Sequence, residues 1–377
     1  MTFKVSYVDF SQQYAQQREK ILDSLDQTMA SGQYILGEAV QQFEKSFAQL
    51  CQTKYAIGVA NGTDALVLSL KAFGIGQGDE VITTPNSWIS SASCIALVGA
   101  TPVFVDVRDD QNMDPVQLEK AITPQTKAVI PVHLTGKIAD MEAILEIAAQ
   151  NKLAVIEDAA QAVGAKYKGK MAGSIGQLGC FSLHPLKNLN GAGDAGAIVT
   201  SDRKLAEKLL LFRNHGLKSR DEILFWGYNS RLDSLQASIL NCRLPELSQV
   251  IEQRRQFAAI YRNKLQHVVG CPDDAVGCYD TYHLFVIQTP QRDHLKSYLD
   301  KQGIQTSIHY PVPIHLQPCA KYLGYRPGSF VNVEQQSKQI LSLPIHNGLL
   351  KSEVEWVADS IVDFFKLLKA VASSLKC

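Results

Sequence analysis

LAVIEDAAQAVGA (153–165) and GCFSLHPLKNLNGAGDAGAIVT (179–200) are the stretches whose reading decides the fold. Each opens on a short, nearly continuous apolar run, the pattern of a strand covered on both faces, and passes directly into polar residues. Outward from them the same texture recurs as YAIGVA (55–60), EVIT (80–83), PVFVDV (102–107) and KAVIPV (127–132). With LAVIED (153–158), GCFSL (179–183) and GAIVT (196–200), seven strands are predicted between residues 55 and 200. Segments of helical period lie between several of them. In ADMEAILEIAAQNK (139–152), Met141, Ile144, Leu145 and Ala148 fall on one face. Strands alternating with helices predict an α/β domain around a mostly parallel, buried seven-stranded sheet.

After about residue 245 the texture changes. A long helix, LSQVIEQRRQFAAIYRNKL, leads to a strand YHLFVIQ (282–288), a helix RDHLKSYLDKQG, a strand IQTSIHY (304–310) and a terminal helix through WVADSIVDFFKLLKAVASSL. That order predicts a smaller C-terminal α+β domain. A chain of 377 residues is long for one core, so two domains are expected, 1–250 with an N-terminal arm and 251–377, divided inside the 245–270 helix. The first thirty or so residues are expected beside the smaller domain.

Hydrophobic residues make up 46% and charged residues 20%, which excludes a disordered chain. Lysine plus arginine equals aspartate plus glutamate at 37 each, so no excess charge favours nucleic acid or an anionic membrane as partner. The eight cysteines (51, 94, 180, 242, 271, 278, 319 and 377) form no CxxC pair and no Cys/His cluster, so no metal site is predicted. Reduced thiols, no secretory signal and no run of about 18 apolar residues together predict a soluble, cytoplasmic protein.

In an open parallel sheet, chemistry is expected at the carboxyl ends of the strands. The first strand ends in Asn61-Gly62-Thr63-Asp64 before a helix. That is either an ordinary N-cap or a cup for a phosphate. LAVIED ends in Glu157-Asp158, and a carboxylate ending a buried strand needs a cation or donors. It serves as a cap, an ion pair or the partner of a protonated ring nitrogen. Lys187 follows GCFSL between two apolar strands; a lysine read alone is a solvated surface residue. Taken in order, residues 62–64, 158 and 187 answer to the phosphate, the ring nitrogen and the aldehyde of pyridoxal phosphate, each of which needs a different partner.

At these residues the sequence resembles the DegT/DnrJ/StrS family of sugar aminotransferases, which are fold type I pyridoxal-phosphate enzymes. The resemblance runs from about Tyr34 to Pro344 through GEAVQQFEKSFAQ (37–49), NGTDALVLSL (61–70), GDEVITTPNSWISSAS (78–93), GATPVFVDV (99–107), VIEDAAQAVGAKYKGK (155–170), GCFSLHPLKNL (179–189), RNHG (213–216), GYNSRLDSLQASIL (227–240) and SIHYPVPIHLQP (307–318). It implies that Lys187 condenses with the cofactor aldehyde and later moves a proton, and that Asp158 keeps the ring nitrogen protonated. It further implies that Trp88 stacks on the ring, Gln161 sits near its phenolic oxygen, and Thr63 with the amides of Gly62 and Asp64 holds the phosphate, helped by Ser182. Asn229 would reach the phosphate of a neighbouring subunit, making the active unit a homodimer. Read singly, Trp88 is also a loop-packing tryptophan, Gln161 and Ser182 also satisfy buried backbone groups, and Asn229 is also a turn residue.

The reaction implied is a two-step transamination. L-glutamate would leave its amino group as pyridoxamine phosphate and depart as 2-oxoglutarate, and a nucleotide-linked keto-sugar would then receive it. The stretch 307–318 resembles that of members aminating a 3-keto sugar on dTDP or UDP, and Arg231, His309 and Tyr310 are the candidate substrate contacts. A 4-keto-sugar aminotransferase of the same family and a non-enzymatic regulator are the alternatives. Relatives that deoxygenate sugars carry histidine where Lys187 stands. A dinucleotide loop is excluded, because Gly74-Ile-Gly76-Gln-Gly78 lies between a helix and the next strand. Many members have Glu-Gly-Gly where this chain has Gly193-Asp194-Ala195-Gly196; neither Asp194 nor His184 is given a role.

Overall fold

The computed structural model describes residues 3–374. Its main sheet contains β1 (Tyr55–Val59), β2 (Glu80–Thr83), β3 (Thr101–Phe104), β4 (Thr126–Val129), β5 (Ala154–Asp158), β6 (Leu178–Ser182) and β7 (Gly196–Thr200). Their order across the sheet is β1-β7-β6-β5-β4-β2-β3. Pairing is parallel from β6 to β3, whereas β7 runs antiparallel to both β6 and β1. The expected α/β class and mostly parallel seven-stranded sheet are therefore what the chain adopts. β7 is the exception because only residues 183–195 separate it from β6, too short a stretch for a helical crossover.

The helices are α1 (Phe10–Ser31), α2 (Glu38–Leu50), α3 (Gly62–Ala72), α4 (Ser90–Leu97), α5 (Pro115–Ala121), α6 (Met141–Gln150), α7 (Arg203–Phe212), α8 (Ser234–Arg243), α9 (Leu247–Leu265), α10 (Arg292–Gln302), α11 (Val331–Gln339) and α12 (Lys351–Ser374). Several begin where a side chain takes an unpaired helix amide: Asp9 accepts from Gln12, Asp114 from Val116 and Asp202 from Lys204. They cover both faces of the sheet. Alternate residues of β5 show it: Val155 packs into one core with Phe47, Ile144 and Leu240, and Ile156 into another with Leu66, Leu70 and Ile95. Each such side chain, once fully buried, contributes about 1.5–3 kcal/mol before entropy is counted.

α9 belongs to two cores. Leu247 and Ile251 pack with the sheet's core, while Phe257, Ala258, Tyr261 and Leu265 pack in a third core with α10, α12 and a two-stranded ribbon. The ribbon pairs β8 (Phe285–Gln288) antiparallel with β9 (Ile340–Leu343). Here the structure corrects two expectations. IQTSIHY is not a strand; Ile304 and Ser307 make single bridges to Val5 and Ser342, and the strand is the later ILSL at 340–343. The N-terminal residues also divide. Lys4 and Val5 donate to the Gly303 carbonyl, but α1 lies along α8 rather than on the small domain. Among the described residues no helix is long and apolar enough to cross a membrane, and seven cysteines are free; Cys377 lies outside the described residues.

Candidate active site

β1, β5 and β6 point the same way, because two antiparallel steps through β7 restore the direction of β6 in β1. Their carboxyl ends therefore share one edge, joined there by the turn after β2. Register fixes how closely the segments meet. Gly196 pairs with Val59 on one side and Ser182 on the other. A Cβ at Gly196 would collide with the Asn61 carbonyl, and one at Gly62 would lie 2.7 Å from Ser182 Cβ. Both glycines are needed for close approach, and that approach sets the start of α3 against Ser182.

α3 opens with Asn61, whose Oδ1 accepts from the Asp64 amide at 2.8 Å. The Asp64 amide, expected to face a phosphate, is thus committed to the helix cap, and the Asp64 carboxylate accepts from Ser230 Oγ at 2.6 Å. Gly62 and Thr63 remain at the mouth of the helix. Thr63 Oγ1 lies 2.7 Å from Ser90 Oγ, which sequence reasoning missed. A helix N-terminus ringed by Thr63, Ser90 and Ser182 hydroxyls is a cradle for a doubly charged anion.

Asp158 is 5% exposed at the end of β5. Its Oδ2 accepts from Ser91 Oγ at 2.6 Å and its Oδ1 from the Ala160 amide at 3.2 Å. Ser91 is a second residue missed from the sequence; the only signal was a serine pair opening a helix after Trp88. The neighbouring Glu157 points elsewhere and is wholly structural, accepting from His133 and the amides of Gly173, Ile175 and Gly176.

Lys187 sits in the β6–β7 connection, which is pinned by bonds from Asn188 Nδ2 to the Thr281 carbonyl and from Asn190 Nδ2 to the Pro185 carbonyl. Protein atoms surround its amine although part of the side chain meets the cleft. That burial pulls its pKa down to about 8, against the opposing pull of the Asp158 carboxylate. An amine poised near neutrality is a usable nucleophile and proton carrier.

The other candidates are placed unequally. Gln161 Oε1 accepts from the Thr135 amide at 2.7 Å, and its side chain also bonds the Tyr310 phenol. Tyr310 lies 5.9 Å from the Trp88 ring, which is 60% exposed as a wall at the mouth. His309 Nδ1 is 2.9 Å from Ser342 Oγ, and burial takes its pKa down to about 4. His309 and Lys187 line a common cavity; Arg231 does not, and bonds Asn214 Oδ1 at 3.2 Å instead. Asn229 is on an exposed segment, bridged to Asn214. His184 and Asp194 are both exposed.

These residues fit pyridoxal phosphate. The α3 mouth with its hydroxyls suits the phosphate, an anchored carboxylate suits the ring nitrogen, and a partly desolvated amine suits the aldehyde. Residues 15–362 match the DegT/DnrJ/EryC1/StrS aminotransferase family. A pleiotropic regulatory protein of Geobacillus stearothermophilus is 44% identical over 96% of this chain and 99% of its own length. The dTDP-3-amino-3,4,6-trideoxy-alpha-D-glucose transaminase of Streptomyces venezuelae is 41% identical over 96% of each chain. A crystal structure of S. venezuelae DesV in complex with a ketimine intermediate superposes with a TM-score of 0.94 at 40% identity, covering 96% of this chain and 99% of that one.

Proposed function

The chain belongs to the DegT/DnrJ/EryC1/StrS aminotransferase family, and on that premise we propose that it moves an amino group from L-glutamate to a nucleotide-linked keto-sugar. The favoured acceptor is a 3-keto-6-deoxyhexose on dTDP or a UDP-linked 3-keto sugar. The observation that carries the reading is the Lys187 amine, its pKa pulled to about 8, on the same sheet edge as Asp158 and the α3 mouth. The 3-amino position in the Streptomyces relative's name supports the favoured acceptor.

Pyridoxal phosphate, when bound, supplies an aldehyde that condenses with amines and a ring that accepts electrons released at the substrate carbon. The chain does the rest. Lys187 Nζ would take the proton from that carbon and deliver it to the carbon of the former aldehyde, which requires the neutral amine. Asp158, fixed by Ser91, presents a carboxylate that favours a protonated ring nitrogen. Thr63, Ser90, Ser182 and the α3 amides hold the phosphate, and Trp88 shields one face of the site from water. Gln161 positions Tyr310 over the site. His309 and Tyr310 contact the sugar, and Arg231 serves the diphosphate.

The active unit is a homodimer in which Asn229 reaches the phosphate bound by the partner subunit. Exposed apolar groups beside Asn229, namely Ile223, Leu224 and the 94% exposed Trp226, support an interface there. We place the protein in the cytoplasm, with its cysteines reduced.

An absorption spectrum of the reconstituted protein tests the cofactor reading, and borohydride should fix the label on the peptide carrying Lys187. A colourless protein that takes up no pyridoxal phosphate overturns it. Glutamate with a panel of 3-keto and 4-keto sugars on dTDP and UDP then tests the acceptor. Amination of only the 4-keto sugars overturns the favoured position. Light scattering at the mass of one chain overturns the dimer.

A further inference from the structure

Lys187 also faces a cavity of about 80 Å³, bordered by its own loop, the N-terminal segment and the small domain. Arg254, only 7% exposed on α9, is among its lining residues. Its hydrogen bonds all leave from Nη1, to the carbonyls of Tyr282 at 3.1 Å, His283 at 3.3 Å and Ile345 at 2.6 Å. Its Nε has no partner, and neither has Nδ1 of the buried His283 beside it. Among the described residues Arg254 makes no ion pair; burial lowers its pKa to about 10 against the opposing pull of Tyr7, so it stays charged at neutral pH. A buried guanidinium without a counter-ion costs several kcal/mol, so its retention calls for an anion.

The cavity's composition favours one. Lys187, Arg254, His283, His309 and His346 all line it, against a single carboxylate, Asp9. Asp9 is committed to capping α1, where it accepts from the Gln12 amide at 3.0 Å. Burial keeps His283 and His309 neutral at pH 7, so they add donors rather than charge. At about 10–15 Å³ of such volume per water, the space holds several water-sized groups, enough for a carboxylate and the methylenes beside it. Guanidinium and carboxylate match as forked donor to forked acceptor.

We propose that this cavity receives the distal carboxylate of the amino donor, with Arg254 as its cationic partner and His283 as a further donor. The inference rests on the aminotransfer reading and deepens it, since it assigns the residue that holds the far end of the donor. The donor's amine meets the site beside Lys187 while its far end is anchored on the small domain. Donors lacking that carboxylate forgo the anchor.

Calorimetry on the pyridoxal-phosphate-loaded protein tests this without turnover. Glutarate, a dicarboxylate with no amine, should bind at least about tenfold more tightly than pentanoate of the same length. Arg254→Lys should remove that preference. It should also raise the KM for glutamate on the order of ten- to a hundredfold, with a far smaller rise for L-alanine. Equal binding of glutarate and pentanoate to the wild-type protein overturns the proposal, and needs no variant to fold. An equal KM rise for glutamate and alanine overturns it as well, by showing that Arg254 acts only through structure. A wild-type protein that takes an amino group from no donor at all would instead overturn the reading of function on which this rests.

Discussion

Toward β5, the charge acting on Lys187 is anchored: Asp158 is 5% exposed and holds one bond from Ser91 and one from Ala160. Toward the small domain, Arg254 and His283 are as deeply buried, yet each keeps a nitrogen without a partner. The first arrangement is complete before any small molecule arrives, as suits a cofactor that stays through every turnover. The second is left open, as suits a reactant that must leave. Preorganised groups cost nothing to align when charge develops, whereas an open cation gains most from the ligand that closes it.

The comparison can be broken at several strengths. Removing the amine, as Lys187→Ala, should lower turnover on the order of 10²–10⁴-fold or more, read as amino-sugar formation under saturating glutamate. Asp158→Asn should cost on the order of 10²-fold and leave a second mark. The Asp158 carboxylate raises the Lys187 pKa, so its loss moves the lysine midpoint below about 8. Cofactor capture by the apo protein, which needs the neutral amine, should rise with pH through about 8 in the wild type and at lower pH in the variant. An unchanged midpoint would mean the two groups do not couple. Ser91→Ala removes one bond to the carboxylate and should cost about tenfold, the size of a hydrogen bond to a charged group.

The smallest effect concerns stability. The pKa of Lys187 is lower folded than unfolded, about 8 against 10.5, so the unfolded chain binds more protons between those values. The burden of the buried ammonium is fully present below pH 8 and disappears as pH rises toward 10.5. Lys187→Met should therefore stabilise the apo protein by about 1–2 kcal/mol at pH 7, after allowance for screening in the cleft. Thermal denaturation at pH 7 and pH 10.5 should show the gain only at the lower pH.

The completed side was the legible one in sequence. Asp158 ends an apolar run, and Lys187 follows another after five residues, so strand periodicity alone brings both to one edge. The seven strands were legible for the same reason; EVIT and GAIVT keep their expected bounds, and the other five have an end shifted by one to three residues. The open side was not legible. ILSL at 340–343 is four residues, three of them apolar, between a helix and Pro344, too short to carry a period. IQTSIHY has strand composition but turns away after its single bridges, because the N-terminal segment and Ser342 take its pairing groups. Arg254 reads as one half of an ordinary basic pair on a polar helix, and only the closure of the small domain buries it. Ser90 and Ser91 stand at a helix start, where serines read as ordinary capping residues.

The tie between the chain's beginning and its small domain sets an order of events. The Tyr7 amide donates to Gln305 Oε1 at 3.0 Å across 298 positions, and Lys4 donates to the Gly303 carbonyl at 2.8 Å. On a ribosome, the sheet with Asp158 and Lys187 is complete about 100 residues before Gln305 has been added, at roughly 5–20 residues per second. The cradle at the α3 mouth can thus assemble while the donor cavity has no far wall. The first residues synthesised wait for others added some 300 positions later, and the pocket that selects a reactant comes into existence after the cradle that holds the cofactor.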